Sequence, residues 1–129
     1  MATKDLKNDI SVQPGLMPQD LTTGSTNGVD CDTRGFESVT LSALTDSAFA
    51  GTFTVQEGDS TTAYSTAASD DIIGTNGVAV TATAGGNEKT LGYTGSKRYV
   101  RVVAACTTAG EAAASFILGN PHVCKTGDN

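Results

Sequence analysis

Gly92-Tyr93-Thr94-Gly95-Ser96-Lys97-Arg98-Tyr99-Val100-Arg101-Val102-Val103 decides the fold class. Two glycines three residues apart make a turn, because glycine tolerates backbone angles that other residues avoid. The β-branched and aromatic run that follows alternates with period two and reads as a strand. Arg98, Val100, Val102 and Ala104 share one face, while Tyr99, Arg101, Val103 and Ala105 share the other. Neither face is plainly polar, so this strand is expected in the middle of a sheet with protein against both faces.

Strands of the same kind lie on either side of it. Val29–Thr33 is a short first strand, Phe36–Ala43 a second, and Gly51–Glu57 a third with Phe53 and Val55 inward. Thr61–Ser65 pairs with the third across a Gly58-Asp59-Ser60 turn, and Ser69-Asp70-Asp71 caps a single helical turn carrying Ile72 and Ile73. Val78–Ala84, Glu88–Tyr93 and a closing strand Ala112–Leu118, joined to the central strand by a hairpin at Thr107–Glu111, complete the set. About eight antiparallel strands separated by regular turns specify an all-β sandwich of jelly-roll or Ig-like type. Its core is expected to hold Val, Ile and Leu with Phe36, Phe53 and Phe116.

Four pieces in order, Gly35–Thr40, the Ser69–Gly74 turn, Gly92–Arg101 and Gly119-Asn120-Pro121, resemble a family of small tailed-bacteriophage virion proteins. Members are encoded close to the major capsid protein and thought to decorate or cement the head. The resemblance runs from about Cys31 to His122 and is strongest over the GYxGxKRYVR core. It departs at the end, where His122 stands in place of the common arginine after the proline. The resemblance implies a virion structural protein on the outer surface of the head, with the major capsid protein as partner. It also implies a homo-oligomer, a trimer being favoured and a dimer the alternative.

Composition narrows the function classes. A chain of 129 residues makes one domain, long enough to bury about two-thirds of its unfolded surface. Eight basic against fourteen acidic residues leave a net charge of −6, which lacks the phosphate-neutralising surface that nucleic-acid binding needs. No apolar run is long enough for a transmembrane helix, so no membrane partner is expected. The first residues lack the hydrophobic stretch of a signal peptide, so synthesis and retention in the host bacterial cytoplasm are expected until assembly or lysis. In that reducing compartment Cys31 and Cys106 read as small buried hydrophobes, with a Cys106–Cys124 bridge after lysis left open.

Residues 1–26 read as an extended N-terminal arm and linker, residues 27–119 as the sandwich, and residues 120–129 as a tail. Leu6, Ile10, Val12, Leu16, Met17 and Leu21 show neither helical nor strand period, and Pro14 and Pro18 interrupt any regular element. These aliphatics are read as docking onto a neighbouring subunit, with Tyr99, Arg101 and Val103 as a second contact on the outer face of the central strand. On this reading, deleting residues 2–20 leaves the fold intact and weakens attachment.

Catalytic and metal chemistry finds little to work with. The one histidine, His122, stands two residues from Cys124 near the end of the chain, a poor platform for a Cys–His dyad. Asp30/Asp32 and Asp70/Asp71 could ligate Ca²⁺ but serve equally as turn and cap residues. Neither enzyme activity nor a cofactor is expected. Lys97, Arg98 and Arg101 form the basic cluster, read either as pairing with Glu37, Glu57 or Glu88 or as a contact to an acidic neighbour. An Ig-like module recognising a host-surface glycan or protein is the alternative function, with Tyr64 as its candidate loop aromatic.

Overall fold

The computed structural model describes residues 7 and 9–121. In chain order its strands are β1 (Ile10–Leu21), β2 (Gly24–Asn27), β3 (Cys31–Asp32), β4 (Phe36–Thr45), β5 (Ala50–Ser60) and β6 (Ala63–Thr66). Then come β7 (Ile72–Ile73), β8 (Val78–Val80), β9 (Asn87–Tyr93), β10 (Tyr99–Thr108) and β11 (Gly110–Pro121). One sheet has the order β1-β11-β4-β9-β7, and the other runs β2-β10-β5-β6, with β3 also on β10 and β8 also on β5.

The pairing is nested. β1 pairs with β11, β2 and β3 with β10, β4 with β9, and β5 with β6, all antiparallel. The chain is therefore one long antiparallel ribbon closed at the β5–β6 hairpin. It is rolled up so that β11 also lies against β4, and β10 against β5. That strand order is a jelly roll.

Alternation along each strand builds the core between the sheets. Val100, Val102, Ala104 and Cys106 of β10 point inward beside Phe53 and Val55 of β5. They meet Val39, Leu41 and Ala43 of β4 and Phe116 and Leu118 of β11 from the opposite sheet. Each large side chain buried this way contributes about 1.5–3 kcal/mol. Phe49, which the sequence reading passed over, is fully buried and stacks on Phe53 with ring centroids 5.6 Å apart. Phe36 is only partly buried, at the edge of this core. Gly51 has no alternative, because a Cβ there would collide with the carbonyl of Ala105 on the adjacent β10.

Three readings of the sequence need correction. The N-terminal stretch is no free arm: β1 hydrogen-bonds along β11 from Ile10↔Gly119 to Leu21↔Gly110, and Leu16 and Leu21 lie in the core at 2% and 3% exposure. Register shifts between Pro14 and Leu16 and between Leu16 and Gln19 break the alternation. Pro14 and Pro18 are tolerated because β1 is an edge strand. The linker reading of residues 24–26 fails too, because Gly24–Asn27 forms β2 and pairs with β10. The turn at Ala109 is not a hairpin either: β10 and β11 belong to different sheets, so the chain crosses the sandwich there.

Smaller differences follow the same logic. Ser69–Asp71 is a single 3-10 turn as expected, but its N-cap is Ala68 with no side-chain cap, and Ile72–Ile73 pair with β9 as a strand. The 78–84 strand stops at Val80. Beside it, Asn76 stands in for a strand residue. Its Oδ1 accepts from the Val55 N–H at 2.8 Å, and its Nδ2 donates to the carbonyls of Val55 and Ala67.

Candidate interaction surfaces

Two faces remain outside the core, one on each sheet. Sequence reasoning placed candidate contacts on both. On the β2-β10-β5-β6 sheet, the outward residues of β10 are Tyr99, Arg101 and Val103, all half-buried. They share the outward face of β10, as its period implies. Arg101 Nε donates to Gln56 Oε1 at 2.8 Å, and its guanidinium lies 4.3 Å from the Tyr64 ring centroid. Tyr64 in turn donates its hydroxyl to Asp30 Oδ1 at 2.7 Å. Burial, and then that carboxylate, push the Tyr64 hydroxyl pKa well above the ordinary tyrosine value.

The rest of the basic cluster is internally paired, with aspartates in place of the expected glutamates. Lys97 Nζ meets Asp59 Oδ2 at 2.9 Å. Arg98 grips Asp32 through two hydrogen bonds, at 3.0 and 2.8 Å, and Asp32 also accepts from the Arg34 N–H. The Arg98 hydrogen bond holds the Asp32 carboxyl below its usual range. The pair therefore supports the fold above the ordinary aspartate pKa and ceases to do so as pH falls through the lowered value. Glu57 is engaged elsewhere, accepting the Tyr93 hydroxyl at 2.6 Å. These side chains organise the end of the sandwich where the Gly92–Gly95 turn enters β10.

The acidic pairs are also accounted for. Asp32 serves Arg98 and Asp30 serves Tyr64, while Asp70 and Asp71 sit in the 3-10 turn. Among the described residues, no group of three or more His, Cys, Asp or Glu is placed to hold a metal ion. Cys31 and Cys106 are free and buried. Burial, with Asp32 nearby, pushes the Cys31 thiol up to about 11. At pH 8 only on the order of one thiol in a thousand is then ionised, and the thiolate is the reactive form. Iodoacetamide at pH 8 is expected to leave Cys31 unmodified in the folded protein and to alkylate it fully in denaturant, as read by peptide mass spectrometry. His122, Cys124 and Leu6 lie outside the described residues.

The outer face of the five-stranded sheet is different in kind. Its rows follow from the register. Val12, Ile117, Thr40, Gly92 and Ile73 cross all five strands; Pro14, Ser115, Ser42 and Thr90 form the next row. Ala113, Leu44 and Glu88 continue the third, beside Met17 on β1. Glu88 is the one charged residue in these rows. Val12, Met17, Leu44 and Ile73 are 60%, 56%, 58% and 67% exposed. Where β1 bulges, Val12, Pro14, Met17, Ser42, Leu44 and Ser115 line a hollow of about 280 Å³. Of the six aliphatics assigned to the arm, then, Val12 and Met17 are available for contact and Leu16 and Leu21 are not, while Ile10 is half-buried at the start of β1.

Leu44 and Ile73 complete this surface, and sequence reasoning missed both. Leu44 belongs to the outward set of β4 that follows from its period two. Ile73 sits in a two-residue strand, where no period exists to read. No protein-family model matches the chain, and neither a curated protein nor a solved structure matches it.

Proposed function

We propose that the protein is a non-enzymatic structural component of a tailed-phage virion, binding the outer surface of the head and bridging neighbouring major capsid protein subunits. The observation that carries this reading is the charge-poor, aliphatic outer face of the five-stranded sheet in a chain of net charge −6. Large side chains held in water at this density are the mark of a surface made for protein contact. The jelly roll is used by viral capsid and lectin domains alike, so the fold is compatible with this role without selecting it. A cement protein needs area at a seam and several simultaneous attachments, and both requirements are met by a rigid sandwich with two separate faces.

The glycan-binding alternative draws no support from Tyr64. One side of its ring is covered by Arg101 and its hydroxyl is committed to Asp30, so it offers no open stacking platform.

The experiment is to add purified protein to heads assembled without it and to locate it by cryo-EM reconstruction. Density on the outer surface at the seams between capsomers is expected; density on the inside against the genome, or no binding, overturns the proposal. Arg101 supplies a sharper probe, because the groups that hold it, an amide and a ring, do not neutralise its charge. Arg101→Glu is expected to weaken head binding at least tenfold while lowering Tm by only a few degrees. Undiminished binding with a large fall in Tm means that Arg101 is purely structural.

A further inference from the structure

We infer that Asn76 is a self-modification site. Its carboxamide closes onto the Gly77 nitrogen when the turn at residues 74–77 lifts from β5, and the aspartate formed keeps that turn from closing again. The inference does not rest on the role proposed above.

Thr-Asn-Gly-Val occurs twice in the chain, at Thr26–Val29 and at Thr75–Val78. A glycine after an asparagine leaves its backbone nitrogen free to reach the preceding carboxamide, because no Cβ obstructs the approach. The glycine nitrogen gives up its proton and bonds to the asparagine Cγ, and Nδ2 leaves as ammonia. Water, the sole co-reactant, then opens the five-membered imide to aspartate or isoaspartate. Identical tetrapeptides share one intrinsic reactivity, so a difference between them is made by the fold.

At Asn27 it is the backbone that is held. The Gly28 N–H donates to the Val102 carbonyl at 2.7 Å, and the Val29 N–H donates to the Gly15 carbonyl at 2.7 Å. A Cβ on Gly28 would strike that same Gly15 carbonyl. The nitrogen therefore cannot swing toward the exposed Asn27 side chain until β2 parts from β10 and from β1.

At Asn76 it is the side chain that is held. Oδ1 accepts from the Val55 N–H and, at 3.1 Å, from the Gly77 N–H, so the attacking nitrogen faces the carboxamide oxygen and not its carbon. Nδ2, the leaving group, is bound to the Val55 and Ala67 carbonyls. The backbone has room to move. Gly77 has a φ of +78°, a Cβ there would come no nearer than 3.7 Å to Thr54 Oγ1, and a hollow of about 550 Å³ lies alongside. Release of the side-chain bonds is enough to free the reaction.

Those bonds fill a gap on the edge of β5. β8 pairs with Gly51–Phe53, β6 pairs with Gln56, Glu57 and Ser60, and the Asn76 side chain serves Val55 between them. Short edge pairings of this kind open locally at far less cost than the core. After conversion an ionised carboxylate stands where Nδ2 stood. It donates nothing and faces two carbonyls, which opposes closure. Isoaspartate also lengthens the main chain by one carbon.

The test is incubation of the full chain at pH 8, followed by peptide mass spectrometry of both sites. In full denaturant the two asparagines are expected to deamidate at similar rates, and in the folded protein both at least about tenfold more slowly. In urea below the unfolding midpoint Asn76 is expected to speed up while Asn27 does not. Asn76→Asp, the product made directly, is expected to lower Tm by at least about 5 °C, whereas Asn27→Asp leaves it near the wild-type value. Asn76 reacting as fast folded as denatured, or both sites accelerating together only at the global midpoint, overturns the inference. So does an Asn76→Asp protein that melts like wild type.

Discussion

Removal of residues 2–20 is expected to abolish folding. The deletion takes away β1 from Ile10 to Asp20 and leaves the β1-facing edge of β11 without its ladder from Gly119 to Glu111. It also removes Leu16 from the core, a loss of about 2–5 kcal/mol for truncation to alanine alone. The deletion further breaks the tie between the sheets at Gly15, whose carbonyl accepts from the Val29 N–H at 2.7 Å. Domains of this size have about 5–15 kcal/mol in total, so the sum leaves no stable native state. The truncated chain is expected to be insoluble or to show no cooperative thermal transition, with Leu16→Ala as the graded control. A truncated protein that melts cooperatively near the wild-type temperature restores the picture of a free arm.

Phe116→Ala is expected to cost about 4 kcal/mol and to lower Tm by roughly 15 °C, measured by calorimetry. Phe116 is fully buried on β11, between the edge strand β1 and the central β4. Its ring passes beneath the bulge of β1, where a Cβ on Gly15 would approach it to 3.1 Å. Truncation leaves a void that the rigid sheets on either side cannot close, and it frees the bulge that holds Gly15 against Val29. A loss below about 2 kcal/mol means that the two sheets close over the void.

The two results probe opposite ends of what the residues reveal locally. Phe116 is legible because β11 alternates Ala112, Ala114, Phe116, Leu118 against Ala113, Ser115, Ile117, and its inward set can be read without knowing its neighbours. The same holds for β5 and β10, whose inward and outward residues lie as the period implies. β1 is not legible in this way. Pro14, Pro18 and two register shifts scramble its alternation, and it becomes a strand only because β11, about a hundred residues later, offers it an edge. The basic cluster shows the same division. Its charge and position are plain in the sequence, but the choice of Asp32 and Asp59 over the glutamates depends on which turns the roll brings together.

From its own order of residues, then, this chain determines an all-β sandwich, the faces of its regular strands and most of its core. Each of these follows from local rules, period two and turn chemistry, that need no partner. The tertiary structure alone decided the jelly-roll order, the membership of β1 in the sheet, the crossing at Ala109 and the hollow where β1 bulges. Those depend on pairings between distant strands, and a strand's hydrogen-bonding edge carries no mark in its side chains of which other strand will fill it.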